Sequence, residues 1–351
     1  MQSITIGIDL GDKNNTVCVL DSQGKIHHKE EIDNNQKSLL TFIKDYTKAT
    51  IAIEAGTHSP WISRLLIGMG HNVLVGNPRK LRSIWQSEKK HDMRDAEMLA
   101  RIARFDPDLL YPVQHKSKEA QADMSLLHSR EALIKQRSSL INHVRGTVKS
   151  FGARIVNCNT ESFHNQALSQ VPEELKNTVG QVLEIIESLS QQIKVFDKKI
   201  EAICQEKYPE TELLRAIKGV GPITALAYIL TLQDPQRFAR SRQVGSYIGL
   251  VPRRDQSGEI DKQLRITKAG SPYLRKLLVN CAHYILGHFG EDCDLRRFGL
   301  RIASKGGKNA KRRAVVAVAR KLSVLMHRLW QYGEIYDPLH KENLKQLAKA
   351  A

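Results

Sequence analysis

The chain has 351 residues, which exceeds the usual size of about 100–200 residues for one domain, so two or three structural units are expected. Its hydrophobic content is 41%, and 54 basic residues against 37 acidic ones give a formal net charge of +17. A disordered tail protein is excluded, because this composition supplies enough apolar side chains to bury a core.

The positive charge is concentrated toward the C-terminus. Residues 1–100 hold 13 basic and 12 acidic residues, whereas residues 251–351 hold 21 basic and 9 acidic ones. Phosphate contacts dominate nucleic-acid affinity, so this asymmetry predicts that a polyanion lies mainly against the C-terminal part. A basic surface that serves only solubility is the alternative.

The cysteines and the hydropathy of the sequence indicate the cellular compartment of the protein. The 5 cysteines form no C-x-x-C pair, and an odd number argues against a disulfide framework. No signal-peptide pattern opens the chain, and apolar runs such as residues 223–232 are shorter than the ~18 residues of a membrane span. We therefore expect reduced, mostly buried thiols in a cytoplasmic protein with no membrane partner.

Strand and helix patterns alternate over the first 105 residues. Apolar alternation and helical spacing predict strands at 3–9, 16–20 and 25–32, a helix at 36–46, a strand at 50–54, a helix at 60–69, a strand at 72–75 and a helix at 94–105. Three leading strands argue against a plain doubly wound sheet. The order instead indicates an α/β domain of the ribonuclease-H-like type over residues 1–112.

The rest of the chain is predicted to be mostly helical. Stretches 117–150 and 173–206 carry apolar residues at three- and four-residue steps, which predicts two long helices that form an antiparallel or intermolecular coiled coil within a region 113–210. An ordinary helical spacer inside one subunit is the alternative. A C-terminal domain then covers 211–340, with a turn-rich stretch at 247–258 and basic helices at 271–286 and 310–329, before a tail at 341–351.

Four carboxylates stand where they could converge. Asp9 ends the first predicted strand, Glu54 ends the fourth, and Asp92 and Asp95 share a face at the start of a helix. Such a group needs divalent cations to offset its repulsion, and hard oxygen ligands suit Mg²⁺ or Mn²⁺. Two such ions stabilise the attacking and leaving oxygens of phosphodiester transfer. Taken singly, each acid could instead be a turn residue, a strand end or a favourable helix N-terminal charge.

Residues 8–11 (IDLG) have a rival interpretation, since actin-like ATPases and sugar kinases open with a similar strand and turn that face ATP. Those folds need a second acidic, Gly-rich phosphate loop, whereas residues 110–210 have a helical pattern. The chain also lacks the G-x-x-x-x-G-K-[ST] loop, so no ATP is expected.

Basic segments of the C-terminal part are candidates for contact with nucleic acid. The Gly219-Val220-Gly221 turn is similar to that of a helix-hairpin-helix, whose backbone N–H groups approach a phosphate, and the run 301–313 holds six basic residues and no acid. A plain turn and a solvated loop are the alternatives. The residues expected to bind nucleic acid are Lys218, Gly219, Gly221, Arg253, Arg254, Lys268, Arg275, Lys305, Lys308, Lys311, Arg312 and Arg313.

Ser257 lies in a polar turn, Arg253-Arg254-Asp255-Gln256-Ser257-Gly258. A hydroxyl beside guanidinium groups could attack a phosphodiester while the arginines stabilise the charge that develops. Chemistry alone does not choose this role, because most such serines only form turns.

The motifs together resemble the DEDD-type transposases of bacterial insertion sequences, relatives of the pilin-gene invertases that are regarded as bridge-RNA-guided recombinases. The matching segments are GIDLG (7–11), AIEAGTHS (52–59), NPRK (77–80), HDMRDAEMLAR (91–101), GVGPITA (219–225) and, within 237–278, RFARSRQVGSYIGLVPRRDQSG and ITKAGSPYLRKLL. They follow the family order and span most of the chain. His91 is a departure, because relatives often have Thr or Ser there.

The resemblance implies that Asp9, Glu54, Asp92 and Asp95 are the catalytic metal-binding set and that Ser257 is the nucleophile that becomes joined to DNA. It also implies an N-terminal domain similar to Holliday-junction resolvases, assembly as dimers to tetramers, and a structured guide RNA that supplies sequence choice by base pairing. We thus predict a DNA transposase whose partner is double-stranded DNA. The alternatives are a metal-dependent junction endonuclease, in which water attacks, and a non-catalytic nucleic-acid-binding protein.

Overall fold

The computed structural model describes residues 4–81, 92–258, 260–340 and 342–343. The chain divides into two compact units, Met1–Lys116 and Ser117–Ala351. The first unit extends slightly past residue 112 because the N–H of Val113 donates to the carbonyl of Val75 at 2.8 Å and its side chain packs on the core of that unit.

The first unit is an α/β fold, as the sequence predicted. Its elements are β1 (Thr5–Leu10), β2 (Asn14–Leu20), β3 (Ile26–Asp33), α1 (Gln36–Ile43), β4 (Thr50–Glu54), α2 (Ser59–Gly68), β5 (Asn72–Gly76), α3 (Pro78–Leu81) and α4 (Asp92–Phe105). The mixed sheet has the order β3-β2-β1-β4-β5, in which β1, β2 and β3 pair antiparallel while β4 pairs parallel with both β1 and β5.

The two faces of this sheet have different cores. Side chains alternate along a strand, so Ile6 and Ile8 of β1 point to one face, where they pack with residues of α1 and α2. Gly7 and Asp9 belong to the opposite face, which α4 covers. By the same alternation Glu54 shares a face with Ala52, whose side chain packs on Leu99 of α4 and its neighbours.

The second unit is mostly helical and contains one two-stranded hairpin. Its elements are α5 (Lys118–Ser150), α6 (Phe163–Leu168), α7 (Lys176–Lys207), α8 (Thr211–Arg215), α9 (Pro222–Leu232), α10 (Arg242–Tyr247), β6 (Pro252–Ser257), β7 (Ile260–Ile266), α11 (Pro272–Leu286), α12 (Asp294–Ala303) and α13 (Ala310–Tyr332). None of the described helices is both long and apolar enough to cross a membrane.

The two long predicted helices are α5 and α7, and they pack on each other in antiparallel orientation. Arg130 pairs with Asp197, and farther along α5 the Nη1 of Arg137 donates to the Oγ of Ser190 at 3.1 Å. Buried aliphatic residues such as Ile141 fill the seam. This packing lies within one chain, and an additional intermolecular coil stays a prediction.

One continuous core joins these helices to the C-terminal residues. Met124 of α5 and Ile200 of α7 belong to the same buried cluster as the hydrophobic helix α9. At its centre Tyr228 is fully buried, and its hydroxyl donates to the carbonyl of Ser323 at 2.6 Å. The helices of the predicted region 113–210 and those of 211–340 therefore lie in one compact unit.

The stretch 247–258, predicted to be rich in turns, is instead largely a strand. After the end of α10, β6 pairs antiparallel with β7 in a two-stranded hairpin, with Arg254 opposite Gln263. Strand propensity reflects packing on one face, and the residues of β6 from Arg253 onward are exposed. With no apolar alternation to mark it, the strand resembles a polar turn in the sequence.

Candidate active site

Asp9 stands near the C-terminal end of β1, on the sheet face that α4 covers. Register places β4 directly beside β1, with Ile8 opposite Ile53, so Glu54 follows at the adjacent strand end. Both carboxylates are partly exposed, as is required for contact with a metal ion or a nucleic acid. The ends of the two strands therefore lie side by side at one edge of the sheet.

Gly7 lets α4 approach β1 closely. A Cβ atom at this position would lie 2.0 Å from the carbonyl oxygen of Ala96 and 2.6 Å from the amide nitrogen of Ala100. The two helical residues are themselves small and fully buried. Glycine on the strand opposite alanines on the helix thus brings the first turn of α4 to the end of β1. Gly7 belongs to the GIDLG motif at 7–11, and the motif alone does not indicate this packing role.

Three of the predicted acids converge. Asp9, Asp92 and Asp95 each offer a carboxylate oxygen, and these oxygens lie within 4.8 Å of one another. Asp92 and Asp95 occupy the first turn of α4, where the helix dipole favours negative charge. Glu54 is not a member of this cluster. Three hard oxygen donors whose mutual repulsion a cation would offset fit a divalent metal such as Mg²⁺ or Mn²⁺.

His58, which has no role in the sequence-based predictions, lies beyond the same strand ends. The Nε2 of His58 is 3.5 Å from a carboxylate oxygen of Asp12, and its Nδ1 accepts a hydrogen bond from the indole of Trp61 at 3.3 Å. Because Nδ1 accepts, the neutral ring carries its proton on Nε2, toward Asp12. The sequence could have indicated this residue, because a histidine follows shortly after the strand that ends in Glu54.

Ser257 is the last residue of β6 and stands at the tip of the β6–β7 hairpin. It pairs with Ile260, its side chain is exposed, and Gly258 beside it has a positive φ of 54°. Lower on the hairpin, Arg254 forms an ion pair of 2.9 Å with Asp261 across the strands. Arg253 is exposed. The hairpin thus presents a hydroxyl and two guanidinium groups to solvent.

The G-x-G turn lies between α8 and α9. Gly219 has a φ of 95°, and a Cβ there would lie 2.6 Å from the ring of Tyr284, so both conformation and packing require glycine. Gly221 caps the N-terminus of α9. Lys218 is exposed and lies 3.7 Å from Glu291. Contact of this turn with a phosphate, and its likeness to a helix-hairpin-helix, stay predictions.

The side chain of Arg275 forms hydrogen bonds with two loops of the second unit. Its Nη1 donates to the carbonyls of Ile248 at 2.9 Å and Gly270 at 3.2 Å, and also to that of Ala269. The side chain thereby joins α11 to the loops on either side of the hairpin. Lys268, in one of these loops, has a φ of 55° and is exposed.

The basic run 301–313 begins in the last turn of α12, and its central part forms a loop that leads into α13, as predicted. Lys305 and Lys308 are exposed in the loop between α12 and α13, and the first turn of α13 holds Lys311, Arg312 and Arg313 but no acid. Among the described residues, none of these five cations forms an ion pair. Positive side chains at a helix N-terminus oppose the helix dipole, and a bound anion relieves that cost.

Comparison with known proteins identifies transposases. The profile described as "Transposase IS116/IS110/IS902 family" matches residues 211–294, and that of a DEDD transposase matches residues 6–152. Together the two profiles cover both the acidic cluster and Ser257.

Similar whole proteins carry the same kinds of name. The transposase for insertion sequence element IS1111A of Coxiella burnetii is 27% identical over 94% of this chain and 90% of its own length. The protein y4pF/y4sB of Sinorhizobium fredii, whose name assigns it provisionally to the transposases, is 30% identical over 86% of this chain and 78% of its own length. A pilin gene-inverting protein of Moraxella bovis is 24% identical over 96% of this chain and 98% of its own length.

The alignments thus run through nearly the whole chain, and they include both compact units. The predicted resemblance to DEDD-type transposases is confirmed, and with it an enzyme that cuts and rejoins DNA. The chain belongs to the IS116/IS110/IS902 family of transposases.

Proposed function

We propose that this transposase cuts and rejoins DNA strands by transesterification, with Ser257 as nucleophile and with Asp9, Glu54, Asp92 and Asp95 holding Mg²⁺ or Mn²⁺ on the reacting phosphate. The observation that carries the proposal is the convergence of three carboxylates within 4.8 Å from a strand end and a helix start. Such a cluster at the edge of a ribonuclease-H-like sheet suits metal-assisted phosphodiester chemistry.

The acids have a positioning role in this proposal. Asp9 is fixed by the strand and Asp92 and Asp95 by the first turn of α4, so their oxygens are held together before any substrate arrives. Glu54 at the adjacent strand end would complete the donor set from its side. When bound, the divalent cation supplies charge stabilisation for the attacking and leaving oxygens.

Ser257 performs the covalent step. Its Oγ loses a proton and forms a bond to the phosphorus, while the bond from phosphorus to one DNA oxygen breaks and that oxygen takes up a proton. The number of phosphoester bonds is unchanged, so a DNA hydroxyl can reverse the step on a new partner without ATP. Arg253 and Arg254 on the same strand would stabilise the charge that develops.

In this proposal, an RNA molecule determines which DNA sequences are cut and joined. Base pairing by a structured guide RNA would select the DNA sites, while basic residues of the protein hold backbones. The proposal further requires the acidic cluster and Ser257 to meet on one phosphate, within one subunit or between the subunits of a dimer or tetramer. Sequencing of RNA that co-purifies with the protein tests the first point, and absence of a discrete structured RNA would contradict it.

The nucleophile is tested with Ser257→Ala. We expect the wild-type protein with Mg²⁺, guide RNA and end-labelled DNA to give a covalent protein–DNA adduct on a denaturing gel, and the variant to give none. Ser246→Ala, which removes an exposed serine of the neighbouring helix α10, is the matched control and should form the adduct normally. An adduct that persists in Ser257→Ala moves the nucleophile elsewhere, and free DNA ends without an adduct indicate a nuclease that uses water.

Metal binding is tested with Asp9→Asn and Asp95→Asn, which keep the side-chain shape and remove one charge each. We expect Mn²⁺ affinity, measured by calorimetry, to fall at least about tenfold in either variant, since an outer-shell change alone costs about 10–100-fold. Asp45→Asn, an exposed acid of the same unit, is the control. Equal Mn²⁺ affinity in all three variants would remove the acidic cluster from the proposal.

A further inference from the structure

An open groove of about 1060 Å³ runs between the base of the β6–β7 hairpin and the helix α13. We propose that it binds single-stranded DNA beside the phosphodiester that Ser257 attacks. This inference rests on the proposed function for the choice of DNA. The groove itself, its charge and its shape are independent of that function.

All of the charged residues that line the groove are basic. On α13 its lining includes Arg312, Arg313, Arg320 and Lys321, and on the facing side it includes Arg242, Arg265 and Lys268, with no acidic residue among the lining residues. Within the part of the chain that the structure describes, no carboxylate forms an ion pair with any of the five arginines. Clustered arginines without a carboxylate partner repel one another, and a polyanion is the ligand that relieves this repulsion.

The cations of α13 lie on one face of the helix. The lining positions 312, 313, 316, 317, 320, 321 and 324 recur at three- and four-residue steps, and they extend over about 18 Å at about 1.5 Å per residue. The basic residues form two pairs, and Val316 and Ala317 lie between them. The face therefore alternates basic, apolar and basic along its length.

Some of these cations are supported by their packing. Lys321 stands over the ring of Phe298 at 4.1 Å from its centroid. The stem of Arg320 lies against α10, where a Cβ on Gly245 would be 3.1 Å from its Cγ. Supported side chains lose less conformational entropy when they bind a ligand.

The apolar floor distinguishes a single strand from a duplex. A duplex presents mainly phosphates and sugars to such a groove, and they gain nothing from Val316, Ala317 and the partly buried Phe298. A single strand can turn its bases toward the apolar floor and its phosphates toward the cations on either side, which is how sequence-tolerant single-strand binders work.

The groove also lies near Ser257 along the hairpin. Gln263 of β7 belongs to its lining, and Ser257 is paired with Ile260, three residues farther toward the tip of the hairpin. At about 3.3 Å per residue this separation is about 10 Å. A strand held in the groove would therefore continue toward the Ser257 hydroxyl.

The inference is tested by DNA binding in the Ser257→Ala protein, so that no chemistry intervenes. In that background, Arg265→Gln/Arg320→Gln removes one cation from each side of the groove. The control, Lys194→Gln/Lys198→Gln, removes the same charge from exposed positions on α7. Fluorescence anisotropy with labelled single-stranded DNA, duplex DNA and single-stranded RNA of one sequence gives the affinities at several salt concentrations.

We expect the groove variant to bind single-stranded DNA at least about tenfold more weakly than the control. Two lost phosphate contacts at about 0.7 each should lower the slope of log K against log salt by about 1.4. Duplex binding should change by no more than about twofold. If Arg265→Gln/Arg320→Gln fails to fold by circular dichroism, Arg242→Gln/Arg265→Gln serves as the second variant.

Each contrary outcome has its own meaning. Equal single-strand affinity in the groove variant and the control overturns the inference, as does an equal loss for duplex DNA. Tighter binding of RNA than of DNA, lost in the same variant, assigns the groove to RNA and also overturns it. An adduct that persists in Ser257→Ala would contradict the proposed nucleophile while leaving the groove intact, so the two failures are distinguishable.

Discussion

At the scale of single residues, Gly7 decides whether the acidic cluster can form. It has the closest approach to a neighbouring backbone of any described glycine, because a Cβ would lie 2.0 Å from the carbonyl oxygen of Ala96. The contact is with backbone of α4, which cannot move aside without shifting the whole helix. Asp92 and Asp95, at the start of that helix, would move away from Asp9.

Replacing Gly7 by Ala is therefore expected to cost about 1–3 kcal/mol of stability, the usual range for overpacking, and to weaken Mn²⁺ binding as well. Thermal unfolding and calorimetry measure the two effects. Gly68→Ala is the control, since a Cβ there meets nothing within 4 Å and alanine favours the helix. Unchanged metal affinity in Gly7→Ala would show that the spacing of α4 from β1 does not set the cluster.

At the scale of elements, α13 holds the C-terminal unit together through a buried histidine. His327 is fully buried, its Nε2 donates to the carbonyl of Pro235 at 2.9 Å, and its Nδ1 accepts from the hydroxyl of Ser241 at 3.0 Å. Burial lowers the pKa of His327 below its usual value, because the charged ring would lose its hydration. The folded state thus favours the neutral ring, which matches the two hydrogen bonds.

This lowered pKa predicts a loss of stability in acid. The contribution of His327 is fully present above the unfolded-state pKa of about 6.5 and is lost as the pH falls toward the lower folded-state pKa. We expect the Tm of the wild-type protein to drop between neutral pH and about pH 5, and the drop to be smaller in His327→Gln. The same acid-induced drop in both proteins would assign the effect to other groups, such as His71 or His115, whose pKa values burial also lowers.

At the scale of the whole molecule, the proposed chemistry is divided between two compact units. The acidic cluster belongs to Met1–Lys116, and Ser257 with the basic groove belongs to Ser117–Ala351. Each unit has its own buried clusters, and the first has a complete sheet. The residues proposed to bind metal and the serine proposed to join DNA therefore lie in different compact units, and the proposed reaction needs both.

Residues 1–116 expressed alone are expected to fold cooperatively and to bind Mn²⁺ within about threefold of the affinity of the full chain, because the three cluster residues and their supports lie within that unit. The fragment should form no covalent adduct with DNA. Circular dichroism melting, calorimetry and denaturing gels give the three readouts. A fragment that is unfolded, or that binds Mn²⁺ only weakly, would mean that the second unit supports the site.

The sequence predicted much of the first unit because its signals are local. The strand at 50–54 coincides with β4, and the helix at 94–105 with most of α4, since apolar periodicity there matches one buried face. The hairpin β6–β7 was not predicted, because its exposed residues show no apolar periodicity. The long helices were also predicted from periodicity, but their packing into the C-terminal core depends on contacts between distant residues, such as Met124 and Ile200 with α9.

The sequence by itself determined the family and most of the order of elements in the first unit, and it named the acids and the serine as candidates, because motifs and hydrophobic periodicity are properties of residues close together in the chain. Tertiary structure alone decided which acids meet: Asp9, Asp92 and Asp95 form one cluster, from which Glu54 is absent. It also brought α13 and the hairpin base together into one basic groove. The reason is physical, since distances across a fold are set by close packing such as that of Gly7 on Ala96, and sequence spacing does not contain them.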